Sequence, residues 1–184
     1  KFLGDEKEAT RIARNIVNTR NIKRITKTNQ LVKIIEDSKK KNFSKKINPC
    51  TKTFQALRIF VNKEISELIN GIIKATKKLK PGGKIIVITF HSIEDKIVKY
   101  FFNNFSKNKS RPSRYFPENK IETAYLFEEY KNKVLRPSKK EVEINNRARS
   151  AKLRFAIRSN TDFQYPQELI NKFKNYLELE SVNV

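Results

Sequence analysis

PGGKIIVITFHSIEDKIVKYFF, Pro81 to Phe102, is a turn, an apolar strand, a polar strand end and a helix in immediate succession. Pro81-Gly82-Gly83 punctuates the chain. Ile85 to Phe90 is a short continuous apolar run, β-branched for most of its length. Such a run predicts a strand covered on both faces, as in a parallel sheet. Ile93, Ile97, Val98, Phe101, Phe102 and Phe105 then recur at helical spacing with no linker between. A junction of this kind brings the C-terminal end of a strand to the surface, where open α/β sheets bind ligands.

The polar residues at the junction are His91, Ser92, Glu94 and Asp95, and His91 is the only histidine in the chain. Ser92 is placed to cap the helix, Asp95 to close a capping box, and Glu94 to meet the positive helix end. Capping accounts for those three and leaves His91 over, at the strand end where a pocket would lie.

Working outward, residues 51–79 form the longest periodic segment, with Phe54, Leu57, Val61, Ile65, Leu68 and Ile72 on one face. A largely buried helix is expected, with Gly71 marking a bend or a close helix contact. Arg58 and Asn62 share another side of it, one turn apart, either facing a pocket or forming a solvated edge. Upstream, residues 4–20 predict an amphipathic helix with the stripe Ala9, Ile12, Ala13, Ile16 and Val17. Asp5, Glu6 and Glu8 suit its N-terminal end. A basic turn with Arg20, Lys23, Arg24 and Lys27 leads to a second short helix capped by Thr28. Residues 38–50 are a polar, lysine-rich connector.

Downstream, residues 106–150 hold three of the six prolines. SKNKSRPSRYFPENK, residues 106–120, is an irregular basic loop. Aromatic rings among cations suit single-stranded RNA, because bases stack on the rings while the cations track phosphates. Tyr130 to Arg136 reads as a short edge strand. RSAKLRFAIRS, residues 149–159, alternates, with Leu153, Phe155 and Ile157 on one side and Lys152, Arg154 and Arg158 on the other. The expectation is a strand with one solvated, basic face. A short terminal helix follows, with Pro166 near its start.

The 184 residues carry 41 basic and 19 acidic side chains, a formal charge of +22. An AT-rich genome explains lysine in place of arginine but not this excess, which points to a polyanion such as nucleic acid. The longest largely apolar run, Ile85 to Phe90, is far short of a membrane span. A single cysteine excludes an intramolecular disulfide framework, and one Cys with one His gives no zinc site, so no metal is assigned. A reducing, cytoplasmic setting is the simplest reading. The four glycines, at 4, 71, 82 and 83, form no phosphate-cradling turn of the kind a nucleotide fold needs. With one parallel strand evident, the chain reads as the back half of a domain.

Several stretches, in order and at compatible spacings, resemble the ribosomal RNA small subunit methyltransferase H family. They are GDEKEATRIARNIVNTR (4–20), PCTKTFQALRIFVNKE (49–64), LKPGGKIIVITFHSIEDKIVKYFF (79–102) and NNRARSAKLRFAIR (145–158). The resemblance covers residues 1 to about 158. Departures from the family pattern at Cys50, Lys52, Ile93, Lys96 and Asn146 remove no group of evident chemistry.

The resemblance implies transfer of a methyl group from S-adenosyl-L-methionine to the exocyclic amine of a cytidine in small-subunit ribosomal RNA. It implies an α/β fold, the C-terminal half of a Rossmann-like class I methyltransferase sheet plus a helical insertion subdomain. Residues 1–50 would be that insertion, which helps recognise RNA, residues 51–160 the methyltransferase portion, and 161–184 a helical tail. The cofactor-binding loop is expected upstream of Lys1, so the fragment alone would be inactive. His91, Ser92 and Asp95 would line the cytidine side of the pocket, with Arg58 and Asn62 shaping it. Arg111, Arg114, Tyr115, Arg147 and Arg149 would hold the RNA. All are positioning roles, and no residue is assigned as catalytic. The expected partner is small-subunit ribosomal RNA or the small ribosomal subunit, with no membrane association and the oligomeric state open. The alternative from another class is a non-enzymatic basic RNA-binding module.

Overall fold

The computed structural model describes residues 1–39, 48–107, 125–130 and 133–182. These group into two compact units, residues 1–64 with 178–184, and residues 65–177.

In the first unit, α1 (Ala9–Ile22) and α2 (Thr28–Asp37) pack with the start of α3 (Thr51–Asn62). The core is Ile12, Ile35 and Cys50, ringed by Ile16, Leu31, Val32 and Phe54. The acidic N-terminal segment behaves differently from its pattern. Helix α1 begins only at Ala9, and Glu6 is buried in an ion pair with Lys39 Nζ at 2.6 Å. Gly4 is required by close approach, since a Cβ there would lie 2.2 Å from the carbonyl oxygen of Lys52. Helix α2 is entered through Lys27 rather than capped by Thr28, and the Gln30 side chain accepts from the backbone N–H groups of Thr26 and Lys27.

The long periodic helix is in fact two. Lys63 adopts a left-handed conformation (φ 53°) that ends α3, and α4 (Glu64–Lys78) begins at the next residue. The expected continuous stripe breaks with it, because Leu57 and Val61 are exposed while Ile59 is buried.

In the second unit, α4 contributes Ile65, Ile69, Ile72, Ile73 and Thr76 to the interior. Gly71 is on its outer side, and a Cβ there would meet nothing within 4 Å, so it marks no close helix contact. Gly71→Ala is therefore expected to stabilise the protein by about 0.5–1 kcal/mol, measured by urea titration.

The chain turns at Pro81-Gly82, where Gly82 takes φ 76°, and enters β1 (Lys84–Thr89). Helix α5 (Ser92–Asn104) follows, then β2 (Phe127–Glu129), α6 (Lys139–Ile144), a 3-10 helix (Asn146–Ser150) and β3 (Lys152–Arg158). Helices α7 (Gln167–Lys172) and α8 (Lys174–Ser181) replace the single tail helix expected.

The sheet is antiparallel, in the order β1-β3-β2, with Ile86 opposite Phe155 and Ile88 opposite Leu153. The edge strand expected at 130–136 is instead β2, three residues earlier, with Leu135 making one isolated bridge to Leu153.

Alternation along β3 holds, but its polarity is the reverse of that expected. Arg154 and Arg158 are each 5% exposed and Ala156 is fully buried, whereas Phe155 is 37% exposed. The cause is α5, whose Ile93, Ile97, Val98 and Phe101 cover the arginine side of the sheet. Strand β1 is likewise covered on one face only, with Ile86 59% and Ile88 55% exposed.

Beneath α5, Phe101 and Phe102 meet Phe127 edge-on, at centroid distances of 5.3 and 5.2 Å, and Phe102 also packs on Tyr130. These edge-to-face contacts pin the sheet's outer strand to the helix. Among the described residues Arg158 has no acidic ion-pair partner. Its Nη1 donates to the Leu126 and Ser159 carbonyls and to Ser159 Oγ, and its Nη2 to the Thr161 carbonyl. Among the described residues no helix is long and apolar enough to cross a membrane.

Candidate functional site

The first turn of α5 carries the junction residues, and the cap sits one position earlier than its sequence suggests. His91, extended at φ −135° and ψ 166°, is the N-cap, and its Nδ1 accepts from the Glu94 N–H at 3.4 Å. Glu94 closes the box, with Oε2 accepting from the backbone N–H groups of Phe90 (2.8 Å) and His91 (3.2 Å). His91-x-x-Glu94 was legible as a capping box once histidine is allowed as a cap. His91 Nε2 is buried 3.2 Å from Glu94 Oε1, without the alignment of a hydrogen bond. Burial acts to raise the Glu94 carboxyl, but hydrogen bonds and charge from His91 and the Phe90 N–H outweigh it and hold it below the ordinary value. Ser92 becomes the first helical residue and is exposed.

Asp95 is released from capping and serves another purpose. It accepts from Arg154 Nε at 2.7 Å and Nη2 at 3.3 Å, and from Lys152 Nζ at 2.9 Å. Arg154 Nη1 donates to the Tyr130 hydroxyl at 2.8 Å, completing a cluster that ties α5 to β3. Neither Arg154 nor Tyr130 was singled out from sequence as part of this site; the signal was an arginine on the strand face that α5 covers.

Partial burial raises the Asp95 carboxyl, and hydrogen bonding and charge from Arg154 and Lys152 overcome it, leaving the group below its usual range. A folded value depressed below the unfolded one gives stability that is present above the unfolded value of about 3.9 and lost as pH falls through the folded value. In Asp95→Asn the decline in stability below about pH 5 should therefore be shallower than in the parent, as read by urea titrations across that range. An unchanged acid limb would place the proton uptake elsewhere.

Arg58 and Asn62 belong to the first unit. Both converge on Glu64, which accepts from Arg58 Nε at 2.7 Å and Nη2 at 3.0 Å and from Asn62 Nδ2 at 3.3 Å. The left-handed Lys63 turns Glu64 back against the helix that carries its partners. Sequence patterning missed Glu64 because the helix break is not written in any Gly or Pro. The Arg58 side chain is 57% exposed.

Arg147 and Arg149 stand exposed on the 3-10 helix, anchored by the buried Ala148 between them. Arg111, Arg114 and Tyr115 lie outside the described residues. In the first unit, Lys23, Arg24, Ile25, Lys33, Ile34 and Asp37 are among the residues lining a surface pocket of about 300 Å³.

Residues 1–159 match the model of a family described as the MraW methylase family. A protein of Hyphomonas neptunium named ribosomal RNA small subunit methyltransferase H is 43% identical over 160 residues, 87% of this chain and 47% of the relative. One of the same name from Agrobacterium fabrum is 44% identical over 158 residues, 86% of this chain and 46% of its own length. A third, from Rhizobium leguminosarum bv. trifolii, is 41% identical over 178 residues, 97% of this chain and 52% of that protein. This last alignment extends into the residues beyond Thr161. The chain spans about half the length of the curated relatives it matches.

Proposed function

Given that the chain belongs to the MraW methylase family, we propose that it is the substrate-facing portion of an S-adenosyl-L-methionine-dependent enzyme that methylates a cytidine amine in small-subunit ribosomal RNA. The observation that carries this reading is the α5 junction, a strand end followed by a helix that His91 caps and the exposed Ser92 opens, in a chain whose relatives bear that enzyme name.

A cytidine amine needs little acid–base assistance. It must meet the sulfonium methyl in line, with its lone pair turned out of conjugation, so positioning supplies most of the rate. A base within structured RNA must also be drawn out of its stack. His91 and Ser92 would present the base. Asp95 does so indirectly, through the ion cluster that fixes the first turn of α5. In the first unit, Arg58 and Asn62, set by Glu64, would also take part in positioning substrate. The methyl donor would be held by polypeptide outside the matched region of the longer relatives, completing a Rossmann-like sheet of which β1, β3 and β2 are one side. Residues 1–50 would then be a helical insertion that contacts RNA, 51–160 the methyltransferase part and 161–184 a tail, all acting in the cytoplasm, where small-subunit RNA is found.

The test joins the unmatched part of the Hyphomonas neptunium relative to this chain and follows methylation of small-subunit ribosomal RNA by nucleoside mass spectrometry. Methylated cytidine should form with the joined protein and fall at least about 100-fold in His91→Ala, the scale of a lost positioning group. Absence of any methyl transfer by the joined protein would contradict the reading.

RNA binding supplies an independent check. The affinity should fall by about 0.7 in log K per log salt for each phosphate neutralised on single strands. Arg147→Ala and Arg149→Ala should each reduce that slope by somewhat less than one. A salt-independent affinity would contradict the electrostatic role of the +22 charge.

A further inference from the structure

The cluster that ties α5 to β3 holds more positive than negative charge. Asp95 is its one carboxylate and faces two cations, Arg154 and Lys152. Burial pushes the Tyr130 hydroxyl up, so the fourth member brings no charge. Arg154 is fully engaged within the cluster, with Nε and Nη2 on Asp95 and Nη1 on Tyr130. That two-pronged pair already neutralises the carboxylate. Lys152 is placed differently. Among the described residues its ammonium meets only Asp95, at 2.9 Å, and its side chain is 25% exposed. An ammonium carries three donors, so Asp95 leaves it able to serve a further acceptor.

The position of Lys152 in the fold indicates which acceptor. It opens β3 opposite Thr89, the last residue of β1, and the Thr89 hydroxyl donates to its carbonyl at 3.3 Å. The ammonium thus belongs to the strand end that leads into His91. Lys152 also closes the segment RARSAK, residues 147–152, on which Arg147 and Arg149 are exposed. Three cations along one short stretch suit the repeating charge of a nucleic-acid backbone.

We propose that Lys152 is a substrate-binding residue whose ammonium, oriented by Asp95, holds the RNA phosphate beside the target cytidine. The inference rests on the functional reading above and names a contact at the junction itself. Arg147 and Arg149 grip the backbone further out, and Lys152 fixes the register of the nucleotide at the strand end, as phosphate contacts do. Asp95 then has two duties, pairing with Arg154 to hold α5 and aiming the second cation at its ligand.

Fluorescence anisotropy of this chain with a labelled oligocytidylate, titrated over a range of salt, tests the assignment. Lys152→Gln keeps a donor for Asp95 but removes the charge. It should lower the slope of log K on log salt by about 0.7 and weaken binding about five-fold near about 0.1 M salt. Lys152→Arg should keep the parent slope. Lys74→Gln, exposed on α4, should change the slope by less than about 0.2. An unaltered slope in Lys152→Gln would overturn the proposal, and so would an equal drop in Lys74→Gln, which would show bulk charge alone at work. In the joined protein, Lys152→Gln should raise KM for ribosomal RNA with kcat little changed. A fall in kcat alone would leave Lys152 a mere prop for Asp95 and overturn the proposal. So would a loss of methyl-donor affinity with the RNA slope intact, which would assign the ammonium to the donor's carboxylate. Salt-independent binding by the parent chain would sink the functional reading itself, whereas a salt-dependent parent with an unaltered variant sinks only the assignment of Lys152.

Discussion

Arg154→Ala is expected to destabilise the second unit by about 3–5 kcal/mol, the cost of removing one partner from a buried ion pair. Arg154 is 5% exposed and gives Asp95 two of its three hydrogen bonds. Its loss leaves Asp95 with Lys152 alone, strips the Tyr130 hydroxyl of a donor and opens a cavity under α5. The pair itself need not stabilise the fold relative to an apolar substitute, because desolvation offsets much of the attraction. The double variant Asp95→Leu/Arg154→Met should therefore lose much less than Arg154→Ala. Denaturant titration of both separates the two accounts. A loss below about 1 kcal/mol in Arg154→Ala would show that the cluster behaves as a solvent-screened surface pair.

A loss of similar size is expected from Phe127→Ala. Phe127 is fully buried and takes edge-on contacts from both Phe101 and Phe102. Truncating a phenylalanine in such a core costs about 3–5 kcal/mol, through lost transfer energy and the residual cavity. Phe127→Leu, which fills most of the space, should cost clearly less. Equal effects of the two substitutions would mean that the ring geometry, rather than the volume, holds β2 in place.

Both effects sit on the side of the sheet where sequence patterning went astray. The alternation of residues 152–158 was readable, and so were β1, α1, α2 and α5, because their apolar periods are unbroken. The direction in which β3 faces was not. A strand with arginine on one side and leucine, phenylalanine and isoleucine on the other ordinarily buries the apolar side. Here α5 brings Asp95 to one arginine, and backbone carbonyls accept from the terminal nitrogens of the other, so the charged side faces inward. That arrangement depends on residues nearly 60 positions apart along the chain (Asp95 with Arg154), which local patterning does not register. The strand expected to be covered on both faces is bare on one for the same reason: its apolar run was correctly recognised, but its second cover is not among the described residues.

The site was legible in part. His91 stood out as unexplained by the pattern, and its capping role follows from Glu94 rather than Asp95. Arg58 and Asn62 were noticed as a polar pair, but Glu64, which draws them together, lay beyond a helix break that no glycine or proline announces. Arg147 and Arg149 were found through the family resemblance, and the exposed 3-10 helix that carries them had no periodic signature of its own.

The most direct test of the central claim is S-adenosyl-L-methionine binding by calorimetry, on this chain and on the same chain joined to the unmatched half of a relative. Binding by the joined protein alone is expected. Binding by this chain alone would contradict the account, because it would place the cofactor on a surface where no phosphate-cradling or ribose-binding turn has been identified.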